Sequence, residues 1–301
     1  MFYTVTFNPA IDYIVHTDNL QIGEVNRSVH EEIYVGGKGI NVSIVLNELG
    51  IKSKALGFVA GFTGDAIEKG VREKGVETDF IHLKKGCSRI NVKIKSGDET
   101  ELNGQGPEIS KEELSVLYNK LDMLQSGDTL VLAGSIPGTL PSDIYENIMA
   151  SLSGKNIRVA VDATKELILN VLPYKPFLIK PNNYELGEMF GVTLKSEEEI
   201  ITYAKKLKEM GAVNVLVSMA GDGAILVDEN ENVHKCGVCR GKVINSVGAG
   251  DSMVAGFLAA LEMEEGGYEY ALKLGTASGG ATAFSNGLAV KDEVYRLLKQ
   301  L

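Results

Sequence analysis

Polar and apolar positions along this chain follow two periods. Short runs of β-branched and aromatic residues alternate with longer stretches in which apolar residues recur every three or four positions, the patterns of strand and helix. Residues 2–7 form the first run, and it stops at Asn8-Pro9, where proline forbids a paired strand to continue. Ile11, Tyr13 and Val15 then alternate with Asp12, Ile14 and His16, and Val29, Ile33 and Val35 predict further short strands before Gly36. Strands that succeed one another without a helix between them predict a small sheet appended to a main domain. Val42, Val45, Leu46 and Leu49 keep helical spacing in a helix opened by Gly36-Gly37-Lys38-Gly39-Ile40-Asn41 and closed by Gly50. Residues 53–58 read as a strand, 64–74 as a helix and 89–94 as an alternating strand. On that strand Arg89, Asn91 and Lys93 share one face, opposite Ile90, Val92 and Ile94. A loop over 96–100 makes a hairpin returning through Leu102 and Asn103, which joins the appended sheet.

From Lys111 onward strands and helices alternate as in an α/β fold with a parallel sheet: strands at 129–133, 158–161, 177–179 and 213–217, and a helix over 196–210. Ligands of such sheets sit beyond the carboxyl ends of the strands, where Gly134-Ser135, Asp162, Lys180-Pro181-Asn182 and Ser218 converge. A hairpin over 224–233 follows. The remainder is helical, with Ala271, Leu272, Leu274, Ala277 and Ala281 as one packed face and a final helix to Leu301.

The stretch 243–257 carries the most chemistry. An apolar, strand-like run meets Gly248-Ala249-Gly250-Asp251, and Met253, Val254, Phe257, Leu258 and Leu261 then recur at helical spacing. Strand, tight turn and helix make an anion cradle, since the first N–H groups of a helix lack intrahelical partners and carry the positive end of its dipole. Asp251 is either a helix-terminal acid favoured by the dipole or a general base that deprotonates a hydroxyl attacking a phosphoryl group. Gly36 to Gly39 likewise permit close approach of a ligand or simply make a flexible turn. Lys38 at a helix start is disfavoured by the dipole, which raises its credit as a ligand group.

Composition narrows the field. Lys plus Arg number 30 against 40 Asp plus Glu, a net charge of −10, which argues against nucleic acid or an anionic membrane as partner. Screening beyond about 8 Å leaves pocket charges alone to meet a ligand, so a phosphate site remains compatible. No apolar run reaches the roughly 18 residues of a membrane span, and no basic region precedes the first apolar residues, so a cytoplasmic location is expected. Cys87, Cys236 and Cys239 are too few for a disulfide framework. The Cys236/Cys239 pair lacks the second pair that a structural zinc needs, and His16, His30, His82 and His234 show no metal spacing. Gly248 to Met253 lacks the third glycine of a dinucleotide fingerprint, and Lys38 is followed by Gly39 where a P-loop requires Ser or Thr.

Taken together, Gly36-Gly37-Lys38-Gly39-Ile40-Asn41 and Val247-Gly248-Ala249-Gly250-Asp251 resemble the two signatures of the ribokinase-like PfkB family of sugar kinases. Asn182-Asn183-Tyr184-Glu185 resembles its NxxE motif and Ser218-Met219-Ala220-Gly221-Asp222-Gly223-Ala224 its nucleotide loop, with Met219-Ala220 in place of the usual Leu-Gly. The resemblance implies a single domain over residues 1–301, a three-layer α/β/α fold with a mostly parallel central sheet. A small β-sheet lid would be inserted at about 11–35 and 88–103. Asn26-Arg27, Arg89 to Lys93 and Asn103 to Glu108 resemble the branch acting on fructose 1-phosphate, with tagatose-6-phosphate kinases close by.

The implied reaction is ATP-dependent phosphorylation of fructose 1-phosphate at its 6-hydroxyl. Tagatose 6-phosphate, another ketose phosphate, or a non-catalytic sugar-phosphate-binding regulator are the alternatives. The resemblance makes Asp251 the base, with Gly248, Ala249 and Gly250 as the backbone anion hole. Asp12, Arg27, Gly37, Lys38, Asn41, Arg89, Asn103 and Ser135 would hold the sugar phosphate. Lys180, Asn182, Ser218, Gly221, Asp222, Gly223, Gly250 and Asn286 would meet ATP, and Glu185 would order Mg2+ through water. A monovalent cation is a further cofactor candidate, and the lid sheet would also join a homodimer.

Overall fold

The computed structural model describes residues 1–263 and 266–301. In chain order its strands are β1 (Phe2–Thr6), β2 (Ala10–His16), β3 (His30–Gly36), β4 (Ser53–Ala60), β5 (Glu77–Thr78), β6 (Ile81–Leu83), β7 (Arg89–Ser96), β8 (Asp98–Asn103), β9 (Thr129–Ala133), β10 (Arg158–Asp162), β11 (Leu178–Ile179), β12 (Asn214–Ser218), β13 (Ala224–Val227) and β14 (Val233–Cys236). The helices are α1 (Lys38–Glu48), α2 (Gly61–Glu73), α3 (Lys111–Asp122), α4 (Ile144–Ser151), α5 (Lys165–Val171), α6 (Asn183–Met189), α7 (Glu197–Glu209), α8 (Ala249–Glu262), α9 (Gly267–Ala283) and α10 (Lys291–Leu298).

The main sheet runs β14-β13-β12-β11-β10-β9-β1-β4-β5, with β6 also paired to β4. All its pairs from β12 to β5 are parallel, and the hairpin β13–β14 closes one edge antiparallel. Alternation within single strands sorts the core into two layers. Leu130 and Leu132 of β9 pack with Leu121, Tyr145, Ile168 and Leu207 from α3, α4, α5 and α7. Val131 and Ala133 of the same strand join Val45, Phe257, Leu274 and Leu297 from α1, α8, α9 and α10. Helices on both faces explain why β9 is apolar throughout save its first residue and wholly buried. The result is the three-layer α/β/α arrangement expected.

The second sheet has the order β3-β2-β7-β8, with β2 and β7 parallel and the outer pairs antiparallel. It stands over the carboxyl end of β1, because β2 starts four residues beyond it and β3 runs straight into α1. Ile11 and Val35 root the sheet against Ile40, Ile67 and Val71. The alternation along β7 is as predicted, but its polar face is the enclosed one. Asn91 and Lys93 are buried, while Ile90 is 41% exposed, as are Ile33 (67%) and Leu102 (61%) on the same side of the sheet.

Three expectations give way. Residues 243–247 form no strand, because the segment is tied to the carboxyl end of α9 rather than to a strand. The segment instead crosses as a loop, with the Ile244 and Asn245 N–H groups donating to the Ala283 carbonyl at 2.8 and 3.2 Å and Val243 left 64% exposed. The lid hairpin turns on Gly97 alone, with Ser96 paired to Asp98, rather than on a five-residue loop. The last helix ends at Leu298. Two elements were not expected: β5 and β6, of two and three residues, are too short to carry a period.

Gly57 of β4 is the tightest joint between β4 and β1. Its φ is 146°, and a Cβ there would lie 2.1 Å from the Thr6 carbonyl oxygen. Gly57→Ala is therefore expected to cost about 2 kcal/mol or more in urea denaturation. Gly97→Ala, at φ 79° with open space around it, is the control and should cost about 1 to 2 kcal/mol from backbone strain alone. Equal losses at the two positions would show that the β1–β4 contact yields readily.

Candidate active site

Beyond the carboxyl ends of β1, β9 and β10 lies a cavity of about 210 Å³ lined by Thr6, Phe7, Asn8, Gly37, Lys38, Arg89, Ala133, Gly134, Ser135, Ala163 and Thr164. The glycines at the start of α1 make it possible by packing. A Cβ at Gly37 would lie 2.6 Å from Thr6 Cγ2, one at Gly39 2.6 Å from Thr6 Oγ1, and one at Gly36 2.6 Å from Asp12 Oδ2. The Ile40 N–H donates to Thr6 Oγ1 at 3.0 Å. These glycines thus seat α1 on β1 and carry Lys38 to the cavity wall; their first service is internal contact.

The lid supplies the opposite wall. Arg89 Nε donates to the Asn8 carbonyl oxygen at 3.1 Å, and burial lowers the pKa of its guanidinium, with Asp12 pulling the other way. Asp12 accepts from Asn91 Nδ2 at 2.8 Å. Asn103 stands opposite Asn91 on β8 but is exposed and bonded, at 3.4 Å, to Glu101. Ser135 lines the cavity at the end of β9. Arg27 does not: it is exposed on the loop between β2 and β3, away from the lining residues.

Asp251 sits in the first turn of α8, 4% exposed, and accepts a hydrogen bond from Asn41 Nδ2 at 2.8 Å. Burial, and after it the charge of Asp162, push its pKa up to about 6 against the pull of Lys38, Asn41 and Lys180. Asp162 ends β10, 2% exposed, with Lys38 Nζ at 3.3 Å and Lys180 Nζ at 3.5 Å from the same oxygen, Oδ1. Burial opposes its charge, but Lys180 and then Lys38 outweigh burial and hold the carboxyl below the usual range. Burial likewise opposes the Lys38 ammonium, and Asp162 and Asp251 more than offset it.

Gly248 caps α8 at φ 79°, and Gly250 lets Lys180 in: a Cβ there would lie 3.1 Å from Lys180 Nζ. The expected anion hole would have to do without the Ala249 N–H, which donates to the Ser246 carbonyl at 3.2 Å. On the far side of Lys180, Asn182 and Glu185 form a capping box on α6. Asn182 Oδ1 accepts from the Glu185 N–H, and Glu185 Oε2 from the Asn182 N–H, each at 2.8 Å. Asn182 also bridges to Ser218 at the end of β12. Gly221 and Asp222 are exposed in a 3-10 turn, and Gly223, at φ 92°, abuts the Cys236 carbonyl, which a Cβ would meet at 2.1 Å. Asn286 is exposed on the turn after α9, next to the segment whose Leu288 packs on Gly248.

Sequence reasoning placed Asp162 at a strand end but gave it no role, and it missed Asn8, Thr6 and Thr164. A buried acid between two lysines distant in sequence leaves no local pattern.

The sequence matches the description "pfkB family carbohydrate kinase" over residues 4–293. This chain belongs to the pfkB family of carbohydrate kinases. It is 52% identical to 1-phosphofructokinase of Bacillus subtilis (strain 168), over all of this chain and 98% of that protein. It is 39% identical to D-tagatose-1-phosphate kinase of Bacillus licheniformis, again over the whole chain and 98% of the relative. The solved structure of Escherichia coli phosphofructokinase-2 in complex with substrates and products superposes with a TM-score of 0.93 at 26% identity, covering 100% of this chain and 99% of that one. The kinase is thus a sugar-phosphate phosphotransferase that uses ATP, and among its described residues no helix is long and apolar enough to cross a membrane.

The raised pKa of Asp251 fixes a sign. A carboxyl raised from 3.8 to about 6 favours the folded state while protonated, and that advantage is lost as pH rises through about 6. In 13C NMR of the unliganded kinase labelled at Asp carboxyl carbons, one resonance is expected to titrate near pH 6 and to be missing from Asp251→Asn. A titration below pH 5 for that resonance would refute the assignment.

Proposed function

We propose that this kinase transfers the γ-phosphoryl group of ATP to the 6-hydroxyl of fructose 1-phosphate, giving fructose 1,6-bisphosphate and ADP. The observation that carries the reading is the buried Asp251, held by Asn41 at the start of α8 with the ammonium groups of Lys38 and Lys180 around it. A carboxylate poised near neutrality accepts the hydroxyl proton as the oxygen attacks phosphorus. The first N–H groups of α8, with Lys180 against Gly250, face charge building on the transferred group. A helix terminus contributes about 0.3 to 2 kcal/mol, whereas enzymes lower barriers by about 8 kcal/mol or more. The lysines, in-line placement and the metal therefore carry most of the rest.

Lys38, Arg89 and Ser135, which line the cavity, suit a phosphorylated ketose, with arginine able to grip the dianion by two donors and Asp12 acting on the Arg89 charge from β2. Lys180, Asn182, Ser218, Gly221, Asp222 and Gly223 suit the nucleotide, and Asn286 its adenine border. For Mg2+ the donor set fits: one Glu185 oxygen is committed to the capping box, which leaves the other for a metal-bound water. Among the described residues there is no cluster of three or more His, Cys, Asp or Glu side chains to form a closed protein cage. Mg2+ keeps several waters and is held mainly by substrate phosphates, whose charge it neutralises when bound. A monovalent cation belongs to the same reading; a solved structure of Escherichia coli phosphofructokinase-2 is in complex with potassium. The reaction would take place in the cytoplasm.

Tagatose 1-phosphate is the second reading, favoured by the 39% identical D-tagatose-1-phosphate kinase. It replaces tagatose 6-phosphate as the more credible alternative. Both 1-phosphates present a free 6-hydroxyl.

The lid also supports a homodimer. Ile33, Ile90 and Leu102 leave an apolar face exposed on the outer side of β3-β2-β7-β8, and a second copy of that sheet is its natural cover. Light scattering should give a dimer mass, and the double change Ile33→Lys with Leu102→Lys a monomer. A wild-type monomer mass at micromolar concentration would exclude the clasp.

Turnover decides the substrate. With MgATP the kinase is expected to show its highest kcat/KM on fructose 1-phosphate, with tagatose 1-phosphate next, and little activity on fructose 6-phosphate, tagatose 6-phosphate or free sugars. Asp251→Asn should retain both substrates while kcat falls by about 10²- to 10⁴-fold. Absence of ADP formation with every ketose phosphate would sink the reading.

A further inference from the structure

Asp162 lies in β10, between β9, which ends at the cavity, and β11, which leads to Lys180. Its Oδ1 receives Lys38 from the sugar side at 3.3 Å and Lys180 from the nucleotide side at 3.5 Å. Its Oδ2 is buried and has no hydrogen-bond partner among the described residues. A carboxylate kept only for stability is normally satisfied at both oxygens. Two ammonium groups drawn to one oxygen would repel each other without its charge. The position is therefore costly and specific, and fold alone does not require it.

We propose that Asp162 is a positioning residue: by holding Lys38 and Lys180 on one oxygen it presets the sugar-side and nucleotide-side cations as a pair beside Asp251. The phosphoryl donor and the phosphorylated acceptor then meet cations whose separation is fixed before either binds, which removes a reorganisation step from the approach to the transition state. Asp162 touches neither reacting atom. Its second effect is on the base, whose charged surroundings are Lys38 from α1, Lys180 beyond β11 and Asp162 itself, with Asn41 as the neutral donor. The negative charge of Asp162 keeps Asp251 basic despite the two lysines.

This deepens the kinase reading and rests on it, so the test has one arm that requires turnover and one that does not. Asp162→Asn keeps the shape and removes the charge. It is expected to lower kcat with MgATP and fructose 1-phosphate by about tenfold or more, and to move the Asp251 carboxyl titration, followed by 13C NMR in the unliganded protein, to lower pH than in the wild type. Asp162→Glu keeps the charge and displaces the oxygen; it should leave the titration near its wild-type position while kcat still falls. A merely structural role would lower thermal stability and leave the Asp251 titration in place. A kcat within about twofold of wild type in Asp162→Asn, full kcat in Asp162→Glu, or an unmoved titration in Asp162→Asn overturns the proposal. Wild-type inactivity on every ketose phosphate would instead count against the kinase reading, and the titration arm would still decide whether Asp162 sets the base.

Discussion

Two carboxylates and two ammonium groups converge at the carboxyl edge of the main sheet, where Asp162, Asp251 and Lys180 are buried and Lys38 reaches them from the open cavity wall. Asp162 is 2% exposed and Asp251 4%, a degree of burial that ordinarily forces a lone acid to take up a proton. Lys38 and Lys180 divide their attention unequally. Both lie on Asp162, which stays ionised below the usual range, while Asp251 receives their influence at one remove and stands near neutrality. One fold thus holds an acid lowered by two lysines beside one raised toward neutrality, the kind of division that separates the roles of paired carboxylates. The main sheet makes the quartet possible, since parallel strands deliver Asp162 and Lys180 to the same edge while α1 and α8 bring Lys38 and Asp251 from the covering layer.

Much of this was legible in the letters. Strong local periods gave β9, β10, β12 and α7 nearly to the residue, because a strand flanked by two helical layers is apolar throughout and a surface helix is striped. The stretch 243–247 misled for the same reason. Its apolar residues look like a strand, but whether a strand forms depends on what its N–H groups meet, and those of Ile244 and Asn245 meet the Ala283 carbonyl at the end of α9. Period also told the two faces of β7 apart without telling which was inside. A polar face turned inward signals a site, and an apolar face turned outward signals a partner; both depend on what stands opposite, which sequence spacing does not record.

Glycine illustrates a related limit. The run Gly36-Gly37-Lys38-Gly39 reads as backbone freed for a ligand, and in the structure it is backbone freed for Thr6 and Asp12. Gly250 comes nearer the original expectation, since its missing side chain is what admits Lys180 to the first turn of α8. In each case the observed neighbour is a side chain of the protein itself, where the sequence suggested a ligand.

The spacing of Asn182 and Glu185 has a meaning of its own. An N-cap residue and the third residue of its helix exchange side-chain-to-backbone bonds across a fixed interval of three, and these two do so at 2.8 Å in both directions. The interval in the motif is thus a constant of helix geometry before it is a feature of phosphate chemistry, and the same letters open many helices that bind nothing. Its information about function lies in address: this helix begins three residues past Lys180, on the strand edge where the charges gather.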